Sequence, residues 1–323
     1  MTDELTSTTQ ASSSPSELGS FKGKEEGGKR LNPLPFSLSP FPSPHPAKLT
    51  CQTTSSQDWE NGDWVQLNVG LVRHQGNALS SARALFARLE PLVTHWRSND
   101  LLRCFFFMRK PPDVRARFFI TVDRQQAIAD ISDLMYALER ENLINVFFFS
   151  DYEPETDRFG GLEAMKLVHQ HFDADTSLWL MLDYLDRHNL GVVSKDLLVP
   201  TVLHDLFSRT LSDAVAILAT WHSLAALIST PPEGTIPTVE LLSLETLYES
   251  KEAEILQKYA TANDILAKEL VNLQHLGQLT QDLVDILAAV AMFNFHRHGF
   301  DSHRSGRLIE AIIRTLEGKN AEG

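Results

Sequence analysis

Cysteine is scarce: two in 323 residues, Cys51 and Cys104. Neither has a partner at metal-ligand spacing, and two thiols cannot build the disulfide framework of a small secreted domain. A reduced, cytoplasmic setting is therefore expected. The sequence contains no G-x-S-x-G, no P-loop, no G-x-G-x-x-G, no H-E-x-x-H and no paired C-x-x-C, so the usual marks of a serine hydrolase, a nucleotide or dinucleotide site and a zinc centre are missing. His169 and His171 flank Gln170, an i,i+2 spacing that faces apart on a helix. No metal and no cofactor is expected. Positive charge is also short: 29 Lys and Arg against 42 Asp and Glu give a net charge of -13, which argues against nucleic-acid or anionic-membrane binding by the whole surface. The longest apolar stretch, Leu283 to Phe295, is interrupted by Asp285 and Asn294 and is too short to span a bilayer. The N-terminus has no basic region followed by an apolar one, so no signal peptide is expected.

What is present divides the chain. Residues 1–57 are rich in Ser, Thr, Pro and Gly, and "SLSPFPSPHP" cannot hold a helix or a central strand; this segment is expected to be a disordered tail. A single domain is expected over 58–323, with a sheet part over 62–152 and a helical part over 161–317. "WVQLNVGL" alternates as a strand does. "ALSSARALFARLEPLVTHWR" has helical spacing, with Pro91 placed to break or kink its last turn. "RCFFFMRK" and "VRARFFITV" read as strands joined by a Pro111-Pro112-Asp113 turn. An amphipathic helix, "RQQAIADISDLMYALEREN", and a fourth strand, "INVFFFSDY", follow. The order is β-α-β-β-α-β, so the expected class is α+β: a ferredoxin-like sheet followed by an all-helical C-terminal half packed on its open face. In that half, helices are expected at "GGLEAMKLVHQHF", at "DADTSLWLMLDYLDRH" from an acidic cap, across "VLHDLFSRTLSDAVAILATWHSLAALIS", and around 238–273, 278–298 and 303–317.

Arginine carries the chemical signal. Arg109 ends an apolar strand. Arg115 and Arg117 share one face of the next, and with Arg103 and Lys110 they form a basic strip opposed locally by Asp113 alone. Arg158 lies just beyond the fourth strand among Asp151, Glu153, Glu155 and Asp157. Guanidinium groups so placed suit recognition of carboxylate or phosphate; paired with those acids they would be structural salt bridges instead. "FHRHGFDSHRSGR" gathers His296, Arg297 and His298 where a helix C-terminus would favour positive charge.

These words resemble a known family. "YEPETDRFGGLEAM", Tyr152 to Met165, closely resembles "YEPETERYGG-x-EAM" of the lantibiotic dehydratase C-terminal (SpaB-type) domain, which also exists as a standalone thiopeptide-type bacteriocin biosynthesis protein. "WVQLNVGL" resembles the family's opening strand, "FFFMRKPPDVRARF" its "FFIRY-x-DP-x-PHLRLRF", and "FDADT" its "FxADS". The resemblance implies work on a leader-bearing precursor peptide: glutamate elimination from glutamylated Ser or Thr, with a glutamylating dehydratase partner in trans because no counterpart of that domain is seen in these 323 residues. It also implies alternatives, a ring-forming cycloaddition or peptide binding without catalysis. Elimination needs a base for the α-proton and cations for the developing charge. The resemblance assigns catalytic roles to Arg109 and Arg158, with Tyr152, His296 or His298 as acid or base, and substrate binding to Arg115, Arg117, Glu155 and Arg297. The family's late "LLHMHxNR" helix aligns with "AMFNFHRHG". With Arg297 on its Arg, Met292 and Asn294 stand at its His positions.

Overall fold

The computed structural model describes residues 62–322 apart from 122, 191–192, 229–235, 238, 240 and 248–252. The expected tail over 1–57, and Cys51 with it, lies outside the described residues. The elements run β1 (Asp63–Leu71), α1 (Leu79–Ser98), β2 (Leu102–Met108), β3 (Val114–Ile120), α2 (Arg124–Arg140) and β4 (Ile144–Ser150), then α3 (Leu162–Arg187), α4 (Lys195–Thr210), α5 (Ala214–Ile228), α6 (Ala253–His275), α7 (Leu283–His298) and α8 (Ser302–Glu322). The four strands form one sheet in the order β2-β3-β1-β4, every neighbouring pair antiparallel.

Alternation decides which residues face which layer. Val65, Leu67, Val69 and Leu71 of β1 join Phe105, Phe107 and the inner faces of α1 and α2 in one core. Cys104, Phe106, Met108 and Phe119 turn the other way and join α3, α4, α5, α7 and α8 in a second. The run Phe105–Phe106–Phe107 is thus apolar because β2 is covered on both faces. On this second face β1 and β3 also present Trp64, Gln66, Asn68, Arg115 and Arg117, with Gln66 opposite Arg117 and Asn68 opposite Arg115.

The two edges of the sheet differ. On β2, Asp173 of α3 accepts the Phe105 N–H at 2.7 Å and Arg297 of α7 donates to the Phe107 carbonyl at 3.0 Å, so side chains complete that edge. On β4, Val146 and Phe148 are 43% and 48% exposed and no further strand pairs with it among the described residues.

Four helical expectations change. Pro91 lies inside α1, which continues to Ser98. "FDADT" starts no helix: α3 runs unbroken through it, because the Asp173 and Asp175 side chains are taken by tertiary partners, Arg97 and the Phe105 N–H for one and Arg297 and His298 for the other. The long helix expected from Val202 to Ser229 divides into α4 and α5. Asp213 starts α5 there, its carboxylate accepting from the Ala216 N–H at 2.8 Å and its carbonyl from that of Ile217 at 3.3 Å. The stretch expected over 238–273 comprises a short 3-10 turn at Leu244–Leu247 and α6 from Ala253. No helix among the described residues is long and apolar enough to cross a membrane.

Candidate functional site

After β4 the chain reaches a 3-10 turn at Thr156–Phe159 and then two glycines. Gly160 and Gly161 have φ of 85° and 108°, a region open to glycine at little cost. A Cβ on Gly160 would also lie 2.5 Å from Ile286 Cδ1 of α7. The Gly160 carbonyl accepts from the Thr280 N–H at 3.1 Å, and Gly161 N–H donates to the Thr156 carbonyl at 2.9 Å. Glycine is required here because the turn is pressed against α7. That contact fixes the position of Glu155 and Arg158.

Glu155 gathers cations. Its carboxylate receives Lys110 Nζ at 3.3 Å and Arg158 Nε at 3.0 Å, and it lies close enough to Arg117 to help hold that charge. Arg117 Nε donates to Gln66 Oε1 at 2.8 Å, and its guanidinium lies 4.6 Å from the Tyr152 ring centre. Burial pushes Arg117 down to about 10, the nearby Tyr152 opposing the shift. Tyr152 Oη and His169 Nε2 are 2.8 Å apart. Burial raises the Tyr152 phenol, Arg117 acting against it, and burial reinforced by Arg117 pushes His169 down to about 3. Both groups are therefore neutral at neutral pH. Trp64 packs on both rings, at 4.9 Å and 4.7 Å. Lys110 also lies 5.0 Å from the Phe293 ring of α7. One turn on, His296 is lowered by burial and then by Lys110, so it too is a neutral imidazole. Arg115 shares the face of Arg117 and donates from Nε to the Pro111 carbonyl at 2.9 Å. Asp113, expected to oppose this strip, instead pairs with Arg73 and accepts the Leu71 N–H.

The remaining expected residues lie elsewhere. Arg297, expected at the substrate, is wholly buried. Its Nε holds the Phe107 carbonyl, and Nη1 holds Asp175 and, at 3.1 Å, Asn294 Oδ1. It ties α7 to α3 and β2. Asp175 also receives Tyr259 Oη at 3.1 Å and faces His298 Nε2 at 3.0 Å. Burial alone would raise the Asp175 carboxyl, but the charges and hydrogen bonds around it outweigh that and hold it below the usual carboxylate range. Burial keeps His298 from protonating readily, so Arg297 supplies the compensating charge. Arg109 donates from Nε to the Arg297 carbonyl at 3.1 Å and lies 5.4 Å from the Trp179 ring centre. With His298 it lines a cavity of about 690 Å³ that also borders Trp179 and Lys195.

The structure therefore brings together Arg115, Arg117, Tyr152, Glu155, Arg158 and His296, and sets Arg109 and His298 apart around Arg297. Sequence reasoning missed Asp175 and His169. Asp175 carried a signal: it continues the buried stripe Ala164, Val168, Phe172 toward Trp179 on α3, and an acid on an apolar stripe implies a buried partner. Among the described residues no group of three or more His, Cys, Asp or Glu is placed to hold a metal ion.

The family described as lantibiotic biosynthesis dehydratase C-term matches residues 64–314. No curated protein matches. Among solved structures, 16 chains match. One is the tRNA dependent lantibiotic dehydratase MibB from Microbispora sp. 107891, at a TM-score of 0.50 and 12% identity, covering 84% of this chain and 29% of that one. Another is TsrL, at 0.46 and 15%, covering 80% and 96%. The likeness to MibB is one of fold, and this chain spans under a third of its length. With the family match running from the first strand into the last helix, the chain belongs to the lantibiotic dehydratase C-terminal family.

Proposed function

We propose that this protein tailors a ribosomally made precursor peptide by eliminating glutamate from glutamylated Ser or Thr, working on the product of a glutamylating partner in trans. The observation that carries the reading is the set of cations around Glu155, namely Lys110, Arg158 and Arg117, beside the neutral imidazole of His296. In the proposed step His296 takes the α-proton. The C–H electrons form the Cα–Cβ double bond, the Cβ–O bond breaks, and glutamate departs as a carboxylate. Arg117 and Arg115 stabilise charge developing on the peptide carbonyl, while Arg158 and Lys110 hold the departing carboxylate. Tyr152, held by His169, keeps Arg117 in place. The element order and strand order support reading the sheet as ferredoxin-like; after β4 the chain runs back over the second face of that sheet, Tyr152 packing on Trp64 and Phe106, so that Glu155 meets Lys110.

One observation favours a second reading. The positions aligned with the family's late His residues are Met292 and a wholly buried Asn294, which is committed to Tyr259 at 2.8 Å and to Arg297. Neither supplies a proton-transfer group. If His296 does not replace them, ring formation by cycloaddition or binding alone remains as the role of this face.

The test is to mix the protein with a peptide carrying a glutamylated Ser and follow its mass. Loss of glutamate that disappears in Arg158→Ala is the expected result. A peptide that forms a complex but keeps its mass would replace elimination by the second reading.

A further inference from the structure

The cavity between β1, the start of α4 and the end of α7 does not belong to the cationic face around Glu155, and its chemistry is of a different kind. Five cations line it against three carboxylates, Asp113, Asp183 and Asp186. Arg73 holds Asp113, Arg83 holds both Asp183 and Asp186, and Arg304 pairs with Asp196 outside the lining. Arg109 and Lys195 are left over. Arg109 spends Nε on the Arg297 carbonyl, and no hydrogen bond or ion pair engages its terminal nitrogens among the described residues. Lys195 has neither, although it is partly buried. What the two share is Trp179: Arg109 lies 5.4 Å and Lys195 5.8 Å from its ring centre. Two like charges are held against one indole, each disfavoured by burial and Lys195 also by Arg109; Asp183 offsets part of this for both, but it is already paired with Arg83 and Arg187, so a further anion between the two cations would be favoured.

One further side chain at this cavity has an unmet need. Trp179 is 1% exposed, and its indole Nε1–H, a donor, is buried with no hydrogen-bond partner. A buried polar atom without a partner is uncommon and calls for an explanation. Lys195 is also the first residue of a 16-residue helix that opens at Ser194, where backbone N–H groups and the helix dipole favour negative charge. Leu71, Val114 and Leu182 add aliphatic wall.

We propose that this cavity is a binding site for an organic oxyanion, a carboxylate or a phosphate on an apolar body, with its charge held between Arg109 and Lys195 over Trp179. The site is separate from the face assigned to elimination and does not depend on that assignment. The chemistry is common to carboxylates and phosphates, and the experiment distinguishes them. The full chain is titrated by calorimetry with butyrate and with inorganic phosphate, each against chloride at equal ionic strength. Saturable binding of at least one is expected. Lys195→Met should weaken it by about tenfold or more, the loss of one charge-assisted contact, and Lys195→Glu should weaken it further. Arg158→Ala should leave it unchanged. The Lys195 ammonium makes no hydrogen bond among the described residues, so Lys195→Met should unfold no earlier than the parent, which a thermal scan checks. Butyrate alone binding would assign a carboxylate, phosphate alone a phosphate, and both a general oxyanion site. No saturable binding, equal binding by Lys195→Met, or binding lost in Arg158→Ala would overturn the proposal.

Discussion

Asp175 shows how little of a side chain's role lies in its immediate sequence. It is wholly buried, yet it holds Arg297, His298 and Tyr259 at once. Asp175→Ala leaves the Arg297 guanidinium buried without its counter-charge, and the expected cost is about 3–5 kcal/mol, read as a lowered denaturant midpoint; a change below about 1 kcal/mol would mean that Asn294 and the Phe107 carbonyl suffice. Arg158 is the contrasting case. It and Glu155 are 46% and 38% exposed, so Arg158→Ala should cost under about 1 kcal/mol of stability while removing the proposed elimination, which unfolding and mass measurements on one preparation separate. The same contrast explains what the sequence revealed. Tyr152, Glu155 and Arg158 were legible because they lie within one short word of the chain. Arg109 was placed with them in error of side: successive residues leaving a strand point to opposite faces, so Lys110 reaches Glu155 while Arg109 goes to Trp179. His169 was weighed from its spacing only as a metal ligand, and no spacing rule foretells that its partner is a phenol 17 residues earlier.

Among the elements, the turn between β4 and α3 is the most constrained. Gly160→Ala must place a methyl group 2.5 Å from Ile286 Cδ1 at a φ of 85°. Strain and overpacking together predict a loss of about 1–3 kcal/mol or more, measured by chemical denaturation, and weakened elimination if the protein still folds, because Arg158 moves with the turn. Strands were read well from the sequence: four alternating or fully apolar runs match four strands to within a residue or two. Helix boundaries were read less well. Acidic residues mark helix starts only when their oxygens are free for the local backbone. Asp213 caps α5 in this way, whereas Asp173 and Asp175 serve distant partners and the helix passes through them. A local rule could not separate these cases, since the difference lies in what packs against them.

For the whole molecule, four histidines, His169, His171, His296 and His298, have pKa values lowered by burial. In the unfolded chain each titrates near 6.5, whereas His169 in the fold does so only at about 3. Between those values the unfolded state binds more protons, so stability rises with pH and is lost as pH falls from about 6.5. The urea midpoint should accordingly be lower at pH 5 than at pH 7, and His169→Gln should shrink the difference; a midpoint independent of pH across that range would mean that these imidazoles remain accessible to protons in the fold.

The unequal edges of the sheet set a limit on how copies of this chain can join. Asp173 and Arg297 occupy the Phe105 N–H and the Phe107 carbonyl on the β2 edge, while among the described residues no strand pairs with the outer edge of β4 beside Val146 and Phe148. A ribbon that lengthens without end needs a docking edge at each side of every unit. With the β2 side interrupted by these side chains, strand-to-strand joining through β4 uses the open sheet edge of both molecules among the described residues and ends at a pair. The residues that anchor α3 and α7 to β2 thus also act as a chain terminator for assembly.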